Sequence, residues 1–193
     1  MKRRFLTHNE ISRVIQSLSG SAHEVRNRCL IAMCYLHGFR ASELTGIKLS
    51  DIELNSKKIY IRRLKNGLNT SHPLQITELE HLREWLSIRD NYNHKKNDWL
   101  FLSRFGNRLS RQYFYKLIRQ HSIMAGLDIQ AHPHMLRHGC GYELAEQGMD
   151  TRLIQDYLGH RNIRHTVHYT ASNAARFSRV WKPTGDPYSL FLV

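Results

Sequence analysis

The chain has three cysteines and no CxxC pair among them. Cys29 and Cys34 lie in its longest uninterrupted apolar run, CLIAMCYL (29–36), and Cys140 stands alone. An odd set placed this way excludes a disulfide scaffold and a zinc knuckle, and reads as buried thiols in a reducing cytoplasm. The same run is the nearest approach to a membrane segment, far short of the roughly 20 residues that cross a bilayer, so no membrane span or membrane partner is expected. MKRRF has the charge of a signal peptide's first residues, yet LTHNEISR follows where such a peptide needs an apolar stretch. Repeats, low-complexity tracts and long linkers are also absent. Acidic side chains are scarce: 16 Asp and Glu stand against 29 Lys and Arg in 193 residues, for a formal charge of +13. Such an excess points to a polyanionic partner, nucleic acid first, and to a cytoplasmic, nucleoid-associated protein.

What is there is one globular chain whose 41% hydrophobic content is enough to close a core. LTHNEISRVIQSL opens with a capping box, Thr7 and Glu10, with Leu6 placed as a hydrophobic staple. A second helix, from about Ala22 to His37, is apolar on most faces and therefore central; Gly38 ends or bends it, and a short helical turn follows Arg40. KKIYIRRL, KNG and LNTSHPLQI read as a β-hairpin in which Ile59 and Ile61 alternate with Tyr60 and Arg62 and Lys65 lies at the tip. Further helices are expected in TELEHLREWLSIR, in SRQYFYKLIRQHSIMAG capped by Ser110, in PHMLRHGCGYELAEQG with Pro133 in its first turn, and in TRLIQDYLG closed by Gly159. DWLFLS is expected as a short strand. A helix-like pattern of Ala174, Ala175, Phe177, Val180 and Trp181 runs from Thr170 to Trp181.

Two histidine-rich stretches carry the chemistry. In HPHMLRHG (132–139), His134 and His138 have the spacing of two metal ligands on one helix face, whereas His134 and Arg137 have that of a two-pronged grip on an oxyanion. A metal cage here lacks an HExxH pattern, a carboxylate in the box and a Cys pair. LGHRNIRHTVHYTA (158–171) places Tyr169 in a polar, basic segment, a poor setting for a core residue. A phenol is a weak nucleophile unless cations and a proton acceptor surround it, and Arg161, Arg164, His165 and His168 supply cations nearby. A tyrosine hydroxyl attacking a phosphodiester needs two arginines on the non-bridging oxygens, a histidine for its own proton, and a lysine or histidine to protonate the leaving alkoxide. Arg40, Lys65, His134, Arg137, His160 and Tyr169 fill that set.

In this order the motifs resemble those of the tyrosine recombinases of the phage-integrase type. HGFRASEL resembles the family's first arginine box, with Arg40 and Glu43; RLKNG its hairpin lysine, Lys65; HPHMLRHG its HxxR box, His134 and Arg137; LGH and YT give His160 and the nucleophile Tyr169. Successive intervals of 25, 72, 23 and 9 residues from Arg40 through Lys65, Arg137, His160 and Tyr169 suit the family. RLIQDYLGHRNIRHTVHYTASNAARF is similar to the fimbrial phase-variation recombinases, which invert a promoter-bearing DNA segment between short inverted repeats.

The resemblance implies a mainly α (α+β) fold, the helical DNA breaking-rejoining catalytic domain with a small antiparallel β-hairpin or sheet, over residues 1–181. A tail, 182–193, is expected to follow, with no separate N-terminal domain of the kind most relatives carry. It implies attack by Tyr169 on a scissile phosphate to give a 3′-phosphotyrosine, with no cofactor and no metal. Arg40 and Arg137 would bind the phosphate, assisted by His160; Lys65 would protonate the leaving 5′-oxygen and His134 handle the tyrosine proton. His138 falls outside this set, as a neighbour orienting Arg137 or touching phosphate. The implied partners are double-stranded DNA with inverted-repeat sites, a homotetramer on synapsed DNA that exchanges a C-terminal helix, and accessory DNA-bending proteins that offset weak binding to single half-sites. The alternatives are an integrase, excisionase or topoisomerase-like enzyme of the same chemistry, a DNA-binding transcriptional regulator, and a metal-dependent hydrolase built on His134, His138 and His160.

Overall fold

In the computed structural model, residues 3–63, 69–171 and 173 are described. Helix α1 (His8–Gln16) starts at the expected capping box: Thr7 Oγ1 accepts from the Glu10 backbone N–H, and the Glu10 carboxylate accepts from the Thr7 N–H. Leu6 and Ile11, the staple pair, are both buried. Helix α2 (Glu24–His37) is buried on nearly every face because neighbours cover it all round: α1, the one-turn α3 (Ala41–Leu44), α4 (Ile76–Arg89) and α6 (Pro133–Glu146). An apolar helix with little amphipathic bias is the element a multi-helix core places at its centre.

The hairpin is present and gains a strand. β1 (Ile52–Glu53), β2 (Lys58–Ile61) and β3 (Thr70–Pro73) form an antiparallel sheet in that order, with Ile59 opposite His72 and Ile61 opposite Thr70. Ile59 and Ile61 face the core while Lys58 and Tyr60 face out, following the alternation of the sequence. The KNG turn, with Lys65, lies outside the described residues.

DWLFLS is not a strand. Trp99 and Leu102 make only isolated bridges, to Lys48 and Arg108. Side chains of α4 take the backbone acceptors a ladder would need: Trp85 Nε1 donates to Leu100 O (2.9 Å), and Arg89 donates to the carbonyls of Asn97 and Trp99. α5 (Arg111–Met124), capped by Ser110, packs on α1 and α6. α7 (Thr151–Leu158) closes at Gly159 in the left-handed region, and α8 (Arg164–Thr170), which the sequence pattern did not announce, packs on α6 and α7. Most of the expected 170–181 helix lies outside the described residues. No described helix is long and apolar enough to cross a membrane.

Candidate functional site

The site forms where the ends of α2 and α7 meet the first turns of α6. Gly38 ends α2 at φ 58°, and a Cβ there would lie 2.4 Å from Leu158 Cδ2, so only glycine permits both the turn and the close approach of α7. Two residues later Arg40 caps α3 and is held by Glu43, whose carboxylate accepts from the Arg40 backbone N–H (3.0 Å) and from its guanidinium (2.6 Å). Glu43 is buried and also pairs with Arg63 (3.1 Å), which donates to the Tyr157 carbonyl as well. Burial would raise the Glu43 pKa, but the Arg40 backbone N–H, then the charges of Arg63 and Arg40, outweigh it and hold the carboxyl below its ordinary value. Arg40 is thus anchored from beneath and still a third exposed, turned toward solvent.

Arg137 is 1% exposed and bonds the carbonyls of Gly38 and Leu158 (2.7 Å to the latter), at the C-terminal ends of α2 and α7. A cation there meets the negative end of both helix dipoles. Burial, then Arg40 and Arg63, lower its pKa to about 10, so it stays charged at neutral pH. A guanidinium carries five donors, more than its two carbonyl partners use.

His134 lies one residue inside α6, after Pro133, and its pKa is lowered by burial and then by Arg137, His132 and Arg40. His160 follows the Gly159 cap; its Nδ1 meets Thr166 Oγ1 at 2.9 Å, and burial, Arg137 and Arg40 hold its pKa near 3. Both rings are therefore neutral at pH 7. That Arg40 and Arg137 act on each other and on both histidines places the four groups in one electrostatic neighbourhood.

Tyr169, on α8, is 2% exposed, contrary to its reading as a poor core residue. Its ring packs with Cys140, Ala145, Ile154 and Leu158 and is edge-on to Tyr142 (5.1 Å between centroids). Gly141 makes the room: a Cβ there would fall 2.6–2.8 Å from three ring carbons. Burial raises the Tyr169 pKa and Arg137 opposes the rise. The cations expected from its own segment do less, since Arg161 and Arg164 are exposed. The hydroxyl is bonded to His138 Nδ1 at 2.9 Å.

His134 and His138 stand edge to face, 4.5 Å between centroids, and no group of three or more potential ligands forms a metal cluster among the described residues. Both rings line a cleft of about 1140 Å³ whose wall also carries Arg3, Arg4, Arg13 and His132 against the carboxylates of Glu10 and Asp128, so its balance of charge is positive.

The model of the phage integrase family matches residues 4–176. The chain belongs to that family. This recombinase is 57% identical over 180 residues to the type 1 fimbriae regulatory protein FimB of Escherichia coli K12, covering 93% of its own length and 90% of that protein's. It is 54% identical over 182 residues to FimE of the same strain, covering 94% and 92%. Its fold matches the XerH site-specific recombinase bound to palindromic difH substrate in a post-cleavage complex, with a TM-score of 0.77 and 29% identity over 91% of this chain and 52% of that one. The recombinase is accordingly a site-specific tyrosine recombinase with DNA as its partner.

Five of the six residues expected in the site are described, and the fold brings Arg40, His134, Arg137, His160 and Tyr169 together; Lys65 lies outside the described residues. Arg63 went unread, and His138, expected as a neighbour orienting Arg137 or touching phosphate, instead meets the Tyr169 hydroxyl. Arg63 was signalled by the alternation that turns Ile59 and Ile61 inward, since two residues further on it shares their face. His138 was signalled by its place on one face of α6 with Gly141 and Ala145, small residues that leave room for a ring.

Proposed function

We propose that this recombinase inverts a promoter-bearing DNA segment between short inverted repeats, controlling fimbrial phase variation and hence transcription. The reaction runs through a covalent 3′-phosphotyrosine on Tyr169. The observation that carries the chemistry is a tyrosine hydroxyl held in one pocket with Arg137 and neutral histidines, beside a basic cleft. The likeness to FimB and FimE over nine-tenths of their length supports the biological outcome.

The arginines bind the non-bridging oxygens of the scissile phosphate, Arg40 from its Glu43 anchor and Arg137 with donors beyond those on its two carbonyls. Their rigid mounting sets the geometry before DNA arrives. His160, fixed by Thr166, and His134, facing the cleft, add neutral hydrogen bonds to the charge on the non-bridging phosphate oxygens. Tyr169 Oη gives its proton to a neutral histidine of the site and forms the new bond to phosphorus, the bond to the 5′-oxygen breaks, and Lys65, assigned from the sequence pattern, donates the proton that oxygen takes. The 5′-hydroxyl of a second strand then reverses these steps. One phosphate ester replaces another, so the bond energy is conserved. Four protomers on two synapsed sites in the cytoplasm, aided by DNA-bending proteins, complete the proposed reaction.

A supercoiled plasmid carrying two inverted candidate sites tests this reading. Inversion, seen as an altered restriction pattern that requires Tyr169, is the expected result. Relaxation without inversion would indicate a topoisomerase-like outcome, and specific binding with neither would indicate a regulator that does no chemistry.

A further inference from the structure

The histidine that meets the nucleophile is not the first histidine of the HxxR box. His138 Nδ1 lies 2.9 Å from Tyr169 Oη, and the two rings are tilted by 59° with centroids 5.8 Å apart, a contact made at the polar atoms rather than by stacking. Gly141, one turn along α6, lets the tyrosine ring come close enough for that contact. His134 stands behind His138, edge to face, and opens on the cleft.

We propose that His138 is a catalytic residue: it accepts the Tyr169 proton as Oη attacks phosphorus and returns it when the phosphotyrosine is resolved, leaving His134 to contact the phosphate. This rests on Tyr169 being the nucleophile. In cleavage the Oη–P bond forms, the P–O5′ bond breaks, the phenolic proton passes to Nδ1, and the 5′-oxygen takes its proton from the separate acid assigned to Lys65. In rejoining, the phenolate leaves phosphorus and recovers its proton from His138.

The surroundings suit the task. Around His138 stand His132, His134 and Arg137 on and before α6 and His168 on α8, of which Arg137 is charged at neutral pH, with Tyr142 and Tyr169 the phenols packed alongside. Burial, then His134, His168, Arg137 and His132, hold the His138 pKa near 4, so the ring is neutral at pH 7, and accepting from Tyr169 Oη at Nδ1 requires the tautomer with its proton on Nε2. A phosphate bound by Arg40 and Arg137 cancels part of the positive field that keeps His138 weakly basic. The base therefore strengthens as the substrate docks, and the nucleophile stays protonated until then.

The test is single-turnover adduct formation on a nicked suicide DNA by wild type and by His138→Ala. Each is run beside a second reaction, in which a 5′-hydroxyl strand displaces nitrophenol from DNA ending in a 3′-p-nitrophenyl phosphate. That reaction uses the phosphate site but not Tyr169. His138→Ala should form adduct at least about 100-fold more slowly. It should bind DNA as wild type does and carry out the nitrophenyl reaction within about threefold of wild type. 3,5-Difluorotyrosine at position 169, a more acidic phenol, should recover much of the loss. His134→Ala should impair both reactions. Adduct formation by His138→Ala within about threefold of wild type would overturn the proposal, as would an equal loss in the nitrophenyl reaction. An adduct formed by Tyr169→Phe would instead overturn the nucleophile assignment.

Discussion

Replacing Gly141 with alanine places one methyl group against the ring of Tyr169, the proposed nucleophile. The new Cβ would meet Tyr169 Cζ at 2.6 Å, Cε2 at 2.7 Å and Cε1 at 2.8 Å, where ordinary contact begins at 3.4 Å. The ring must retreat from α6 by roughly 0.6–0.8 Å, and Cζ, the atom bearing the hydroxyl, moves most. That shift falls on the 2.9 Å bond to His138 and on the line of attack at phosphorus. A misplacement of about 1 Å in a reacting group costs on the order of 100-fold in rate, so adduct formation on a nicked suicide substrate should slow roughly 30- to 100-fold. Overpacking a closed core costs about 1–3 kcal/mol, a fall of roughly 2–10 °C in Tm for a chain of this size, leaving the protein folded and able to bind DNA. Cleavage within about threefold of wild type, with Tm unchanged, would refute the packing of Tyr169 against α6 as the pose that reacts.

Glu43→Ala removes the carboxylate between Arg40 and the fully buried Arg63 side chain, leaving an uncompensated charge. It should cost about 3–5 kcal/mol, a drop of roughly 10 °C or more in a thermal melt, and cleavage should fall with it. Arg137→Lys keeps the charge, but one ammonium cannot span Gly38 O and Leu158 O as the guanidinium does. About 1–3 kcal/mol of stability should be lost, and adduct formation should fall further than DNA binding in a gel-shift titration. His72, His138 and His160 are held neutral in the fold, with pKa values of about 3, 4 and 3, whereas unfolded histidine titrates near 6.5. Unfolding therefore takes up protons below about pH 6.5, and Tm should fall as pH drops from there toward 4, with a flat profile above; calorimetry across that range checks the slope.

Local rules were enough for much of this architecture. The Thr7 and Glu10 box, the Ser110 cap, Pro133 at the head of α6 and the Gly159 stop all act within one or two turns, so the sequence states them directly. What escaped depends on distant partners. DWLFLS is apolar and buried like a strand, but Trp85 and Arg89 of α4 occupy its carbonyls. α8 is short, polar and without periodicity, and it is held by α6 and α7 rather than by its own pattern. Tyr169 looked solvent-facing because its neighbours in sequence are polar; its neighbours in space are Cys140, Ala145, Ile154 and Leu158. The family resemblance named candidate site residues without their mounting. That Arg137 is clamped to two helix ends, and that the tyrosine meets His138, needed the fold.

The most direct test of the central claim is the identity of the residue joined to DNA. The wild-type recombinase is incubated with a nicked suicide substrate in the presence of a chelator, digested, and its DNA-linked peptide sequenced by mass spectrometry. The account predicts a single 3′-phosphate linkage at Tyr169, absent from Tyr169→Phe although that variant still binds the site. A linkage at another residue, or an adduct formed by Tyr169→Phe, would contradict it.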